Sequence, residues 1–453
     1  MNRRQFLSTV AASAPLFVSA RALGREGPAP SDTVNVGIIG LGGRAREMAK
    51  TIGTMDGSVR IRAICDIHQP SVDDWMAAMP GGENWTPYLD FRTMIEKENL
   101  DGVLVETTTH ARAWITCHAM AMGCDAYIEK PASLSIAEGR EMVNCARKYD
   151  RVTQVGTQQR SIPLNNWASD LVQQGAIGQV HTVLAPNFMG PHTWEGGRAE
   201  PTPANDANPG WWDVWLNQTP WRPYHPELFH RWIMFEEYDG GGQSFGVTGW
   251  GTHSYDQMQR GLGTSETGPV ELMLLEPVRD KRCGIYPRRE IQDSETGRPY
   301  YDMVARHHGP RADVKLRYAN GTEVLLTLDS DWGPGLGCIF IGDNGQIEVN
   351  RDMISGTPEV LDQAGRPDPL SIMETAPHVY DWADAIRTRR RCTADIEYGH
   401  RSTSLCYLVN IVRALGDVGH TLHWDPDAEQ FTNAPEANTM LARERRPGYE
   451  LPA

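Results

Sequence analysis

Apolar residues fall along this chain in two rhythms. From Val34 to about Gly156, short unbroken apolar runs alternate with stretches whose apolar residues recur every three or four positions. Unbroken, β-branched runs are what a strand buried on both faces requires. Strands are therefore predicted at Val34–Gly40, Val59–Ile67, Gly102–Glu106, Asp125–Glu129 and Val152–Gly156. Helices are predicted between them at Arg44–Thr54, Phe91–Glu98, Ala111–Met122 and Ile136–Tyr149. Strand and helix in alternation give a parallel sheet with helices on both faces.

After Gly156 the texture changes. A helix is expected at Asn166–Gly175 and a strand at Val180–Asn187, followed by a Trp/Pro/Gly-rich segment from about Met189 to Tyr238 with little periodicity. Aperiodic segments of that length are usually functional. Strands then recur at Val270–Glu276, Ala312–Tyr318, Glu323–Asp329, Cys338–Asp343 and Gln346–Asn350, with hairpin turns at Asn320-Gly321 and Asn344-Gly345. Helices at His378–Arg391 and His400–Leu415 follow, and the polar tail after Trp424 is expected to wrap a surface. The expected class is α/β: a Rossmann dinucleotide-binding domain over 32–156 and an α+β domain with a mainly antiparallel open sheet over 157–430. A C-terminal arm over 431–453 completes the chain.

The first strand leads into Gly40-x-Gly42-x-x-Ala45. Glycines there let the backbone turn against a pyrophosphate, and the next helix offers its N-terminal amides to that anion. Asp66 ends the second strand, 26 residues after Gly40. An acid at about that distance accepts from a ribose 2′-hydroxyl and disfavours a 2′-phosphate, so NAD is expected ahead of NADP.

Ahead of the first strand, Arg3-Arg4 precede Phe6-Leu7 and a weakly apolar stretch from Val10 to Ala20. That stretch is too short to anchor in a membrane and reads as a twin-arginine signal over 1–24, predicting export to the periplasm. Lys plus Arg total 43 against 58 Asp plus Glu, a net charge of −15, which argues against nucleic acid as partner. The eight cysteines form no CxxC pair and are expected to be buried thiols. His307-His308 and His225/His230 lack acidic or cysteine partners at ligand spacing, so no metal centre is expected. Arg387–Arg391 reads as a solvated helix end.

Between the two halves stands Glu129-Lys130-Pro131. With the glycine turn and Asp66, this resembles the Gfo/Idh/MocA oxidoreductase family. Further parts of the resemblance are Tyr88-x-Asp90-Phe91-Arg92, Gly156-Thr157-Gln158-Gln159-Arg160 and Gly249-Trp250-Gly251-Thr252-His253-x-x-Asp256. The Trp-rich segment and Glu397-Tyr398-Gly399-His400-Arg401-Ser402 resemble an exported branch of that family. The resemblance implies that Gly40, Gly42, Gly43 and Arg44 lie along the pyrophosphate, and Asp66 and Ile67 at the adenosine. Thr107, Thr108, His110 and Gln158 would pass the nicotinamide half, Glu129 its ribose, and Lys130 the reacting carbon. His253 matches the family's catalytic position. It further implies a carbohydrate substrate and a homo-oligomer.

In this chain Gly249 occupies the place where many members carry an aspartate, one turn before the histidine. The acid must come from elsewhere: Asp256 is the first choice, with Asp239 and Tyr255 behind it. Arg160, Trp221, Arg222, Tyr224, His230, Arg231, Trp250 and His253 are the substrate-pocket candidates. A lysine at the carboxyl end of a parallel strand points into the ligand crevice, and partial desolvation lowers its pKa toward a proton-accepting amine. An exported enzyme without a replenished cofactor pool must regenerate its cofactor in each cycle. Two chemistries allow this: hydride returned to a second carbonyl substrate, or a redox-neutral glycoside cleavage.

Overall fold

β1 (Val34–Ile39) lies near the centre of a parallel sheet because its apolar residues face helices on both sides. The computed structural model describes residues 32–452 apart from 204–206, 243–245, 283–307, 329–334, 352, 364 and 369–374. The predicted export segment, Cys283 and His307 lie outside the described residues. The sheet runs β3-β2-β1-β4-β5-β6, adding β2 (Val59–Cys65), β3 (Thr86–Tyr88), β4 (Gly102–Val105), β5 (Asp125–Ile128) and β6 (Thr153–Val155). Every pairing is parallel.

On one face pack helices 43–54 and 69–78, burying Met48, Ile52, Val72 and Trp75. Helices 91–97 and 109–121 cover the other through Phe91, Met94, Ala111 and Trp114. Helix 376–388 comes from the far half of the sequence to close the first face, with Trp382 in the same core as Val34 and Val36. A Cβ at Gly102 would lie 2.9 Å from the Trp382 ring.

The second sheet has nine strands in the order β15-β14-β13-β7-β12-β11-β8-β16-β17. These are β7 (Val180–Pro186), β8 (Glu271–Leu274), β11 (Val314–Arg317), β12 (Glu323–Leu328), β13 (Cys338–Gly342), β14 (Gly345–Asn350), β15 (Met353–Gly356), β16 (Thr421–Asp425) and β17 (Gln430–Phe431). β9 (Arg279–Arg282) and β10 (His308–Arg311) form a separate ribbon. The large sheet is mixed, since β7 and β12 pair in parallel while the other pairings are antiparallel. Helices 163–173, 250–262 and 396–415 bury Leu171, Met258 and Leu408 with Val183, Leu316 and Phe340 of its strands.

Strand residues stop one or two positions short of the apolar runs, because Asp66, Glu106 and Glu129 turn out of the sheet at its carboxyl edge. Helix 396–415 starts four residues earlier than its apolar spacing implied, where Asp395 accepts from the Glu397 amide at 3.1 Å. The Trp-rich segment has structure of its own. Helices 211–216 and 226–231 gather Trp211, Trp212, Trp215, Tyr224, Leu228 and Tyr238 into an aromatic cluster. The tail returns to the first domain, where Arg445 donates to Glu138 at 2.6 Å and Tyr449 packs on Trp114. The described cysteines are buried without disulfides, and no helix among the described residues is long and apolar enough to cross a membrane.

Candidate active site

A cleft of about 590 Å³ opens along the carboxyl edge of the parallel sheet. Its floor is the β1 turn. Gly40 sits at φ +88°, and a Cβ there would come within 2.9 Å of the Glu106 backbone. A Cβ on Gly42 or Gly43 would meet nothing within 4 Å, so this backbone faces open space at the start of helix 43–54. Asp66 accepts from the amides of Leu41 at 3.0 Å and His68 at 2.9 Å, which fixes its carboxylate in the cleft wall. Burial raises its pKa against the pull of those amides.

The roof comes from the Trp-rich insertion. Asn208, Val214, Trp215, Asn217, Phe229 and Trp232 face the glycine turn and Asp66 across the cleft. His68 packs on Trp211 at 4.7 Å, and Asn208 donates to the Ile67 carbonyl at 3.0 Å, stapling roof to floor.

Glu106, Thr107 and Thr108 line the cleft, whereas Lys130 and His253 are not among its lining residues. Lys130 follows β5, and its peptide bond to Pro131 is cis. Its Nζ donates to the Gly249 carbonyl at 3.1 Å, and its backbone amide to Glu129 at 3.1 Å. Glu129 also accepts from Arg44 Nε at 2.9 Å. Burial works against the Glu129 carboxylate, but Arg44 and Lys130 outweigh it and lower its pKa. Burial lowers the Lys130 pKa, with Glu129 and Asp239 opposing. His253 is held neutral, its pKa far below that of an ordinary histidine through burial and the nearby charges of Arg351 and Lys130.

Asp239 lies within electrostatic reach of Lys130. It accepts from Thr109 at 2.5 Å and from Thr248, and it acts on both Lys130 and Arg112. Burial raises its pKa. Glu106, which the sequence reading left out, is pushed up to about 8 by burial and by Glu129.

The site fits a dinucleotide by its unsatisfied groups. Among the described residues, buried polar atoms of Arg44, Glu106, Thr107, Thr157, Gln158 and His253 have no hydrogen-bond partner. They come from the carboxyl edge of the parallel sheet and the start of helix 250–262. Buried polar groups are ordinarily paired, so such a set marks where a polar ligand belongs.

Other candidates land elsewhere. Asp256, first choice for the acid, is paired with Arg160 at 2.8 Å and accepts from Ser402 at 2.7 Å, so its carboxylate and the Arg160 guanidinium already satisfy each other. Tyr255 points into the second-domain core against Phe188. His110 is buried between Trp215 and Tyr238, its Nε2 donating to the Trp215 carbonyl of the insertion at 2.7 Å; burial lowers its pKa to about 4. Thr107 and Thr108 do line the cleft. Arg222 pairs with Glu237 at 2.6 Å and stacks on Trp194, and Tyr224 is buried in the aromatic cluster. Trp221, His230 and Arg231 are exposed, and Trp250 packs against the second-domain core. The insertion residues thus build the insertion itself, because its apolar side chains satisfy one another.

The geometry defines a class first: a two-domain oxidoreductase with an NAD-binding Rossmann half. Residues 34–157 match the GFO_IDH_MocA description "Oxidoreductase family, NAD-binding Rossmann fold", and residues 301–451 its C-terminal alpha/beta domain. The chain belongs to the Gfo/Idh/MocA oxidoreductase family. Similar solved structures include aldose-aldose oxidoreductase from Caulobacter crescentus, with a TM-score of 0.56, 16% identity, and coverage of 86% of this chain and 99% of that one. Another is myo-inositol 2-dehydrogenase from Lactobacillus plantarum, with a TM-score of 0.55, 16% identity, and the same two coverages. A third, an oxidoreductase from Agrobacterium radiobacter crystallised with NAD+, L-tartaric acid and magnesium, has a TM-score of 0.54 at 16% identity, covering 86% of this chain and 98% of that one. Curated relatives named glycosyl hydrolase family 109 proteins include one from Shewanella sp. (strain W3-18-1), 26% identical over 163 residues. One from Shewanella pealeana is 25% identical over 211 residues, 40% of this chain. The matches span 34% and 44% of those relatives' lengths.

Proposed function

We propose that this chain oxidises a ring hydroxyl of a sugar or glycoside, keeps its NAD bound and regenerates it within each cycle. The observation that carries the reading is the Lys130 amine. It is half-buried just past the carboxyl end of β5, its only hydrogen bond to a described residue is to a backbone carbonyl, and its charge acts on a neutral His253 whose Nδ1 has no partner among the described residues. NAD, when bound, supplies the hydride acceptor. Lys130 takes the hydroxyl proton as the carbonyl forms, its proton affinity already reduced by burial. His253 receives or orients that proton, and Asp239 steadies the lysine charge that results. Gly42, Gly43, Arg44 and Gln158 hold the dinucleotide, with Asp66 on its adenosine ribose.

The aromatic lining supports cofactor retention, since Trp215, Phe229 and Trp232 offer apolar surface to a bound dinucleotide in the same cleft as Asp66. Export as a folded, loaded protein through the twin-arginine route to the periplasm, and self-association, belong to the same proposal. The relatives named glycosyl hydrolases favour a second reading: oxidation, elimination of the aglycone, hydration and re-reduction on one glycoside. Incubating purified protein without added cofactor with free sugars and nitrophenyl glycosides separates the two. Exchange of hydride between two sugars supports the first, and aglycone release without net redox change the second. No dinucleotide in the denatured protein, with no turnover on either panel, overturns both.

A further inference from the structure

Arg351 lies at the tip of the β14–β15 hairpin, and its placement is built rather than incidental. Its backbone amide donates to Asn350 Oδ1 at 2.8 Å, and the same oxygen takes the Leu336 amide at 3.2 Å. Gln159, just past β6, donates to the Leu336 carbonyl at 2.8 Å and accepts from Arg351 Nε at 3.1 Å. Ser254, next to His253, donates to the Gly337 carbonyl at 2.6 Å. The hairpin tip is therefore tied to both halves of the catalytic cleft. Its guanidinium is close enough to lower the proton affinity of both His253 and Lys130.

Among the described residues, Arg351 is distinguished by having no paired anion. Arg44 has Glu129 at 2.9 Å, Arg160 has Asp256 at 2.8 Å, and Arg140 has Glu397 at 2.7 Å. Arg351 makes no ion pair with any described residue, and its one side-chain hydrogen bond, to Gln159, uses Nε alone. The nearby carboxylate, Glu129, is already bonded through both oxygens to Arg44 and to the Lys130 amide. A half-buried guanidinium with no anionic partner among the described residues leaves its two terminal nitrogens open, the fork that a carboxylate fills. The pyrophosphate is provided for by the open backbone of the Gly42–Gly43 turn and the start of its helix.

We propose that Arg351 binds a carboxylate on the substrate, so that the carbohydrate taken at this site is an acidic one, a uronate or uronate glycoside. This rests on the carbohydrate reading of the same cleft. The test is calorimetry on the NAD-loaded protein with methyl glycosides of glucose, galactose and mannose, each paired with its uronate. Wild type is expected to bind at least one uronate about 10-fold or more tightly than its neutral partner, as one charge-assisted contact supplies. Arg351→Gln removes the preference and leaves NAD content, melting temperature and affinity for the neutral glycoside unchanged. Arg351→Lys, which keeps the charge without the fork, falls between. Equal affinities in every pair for wild type overturn the proposal, as does an Arg351→Gln protein that loses NAD instead of discrimination. Turnover is scored separately. Uronate preference without hydride exchange or aglycone release leaves Arg351 in its role and removes the oxidoreductase reading, while turnover of neutral sugars alone does the reverse.

Discussion

Asp256 separates a structural acid from a catalytic one. Its carboxylate is 1% exposed and faces an Arg160 that is 2% exposed, with Nε at 2.8 Å. Ser402 adds a bond at 2.7 Å, and Arg160 also reaches Ser265 at 3.1 Å. Removing one member of such a pair leaves the other charged in a place that water does not reach, which costs about 3–5 kcal/mol. Asp256→Ala should therefore destabilise the protein by about 4 kcal/mol, lowering Tm by about 5 °C for a chain of this length. Replacing both members, Arg160→Met with Asp256→Leu, should recover most of that loss, because no uncompensated charge remains. Denaturant titration of the two singles and the double, in the cofactor-loaded form, gives the coupling. Folded Asp256→Asn should keep kcat/KM within about threefold of wild type, since a residue that moves no proton contributes none of the roughly 100-fold of an acid–base group. An Asp256→Asn protein with unchanged stability and a 100-fold loss of turnover would refute the reasoning and return Asp256 to the chemistry.

Three other outcomes follow from the same geometry. Turnover should rise with pH through a midpoint below the 10.5 of an ordinary lysine, because burial favours the neutral amine of Lys130; a flat profile in the hydride step would exclude that amine as base. Glu106 has a folded pKa of about 8 against 4.5 when exposed, so the folded state holds its proton longer and the cofactor-free protein should lose stability as pH rises between those values. Glu106→Gln should abolish that fall, and urea midpoints at pH 5 and pH 8 read it directly. Gly40→Ala places a side chain at φ +88° and 2.9 Å from the Glu106 backbone, so it should weaken NAD binding by about 10-fold or more, measured by calorimetry.

Much of the architecture was legible because its physics is local. Buried parallel strands need continuous apolar runs, and β1 and β4 carry them; Asp66 was read from its place after β2, and Glu129 from the Glu-Lys-Pro resemblance after β5. Glu106 had the same signature after β4 and was passed over, since no family position pointed to it. Asp239 was harder. Helical spacing drew attention to Asp256, but a threonine on each domain, Thr109 and Thr248, holds Asp239 by the lysine, and only the tertiary fold brings those together. The aromatic insertion lacked periodicity because it packs on itself, so its own tryptophans could not be told from sugar-stacking ones. Arg351, at a hairpin tip, looks in sequence like any solvated arginine; its burial depends on Gln159 and the chain around Leu336.

Single-turnover absorbance of the protein's own NAD, mixed with a sugar bearing hydrogen or deuterium at the reacting carbon, reaches the heart of the account. Reduced nicotinamide should appear in wild type and appear more slowly with deuterium. In Lys130→Met it should fail to appear although the dinucleotide is still bound. Reduction at an undiminished rate without the lysine, or a wild-type protein that neither carries nor takes up NAD, would contradict it.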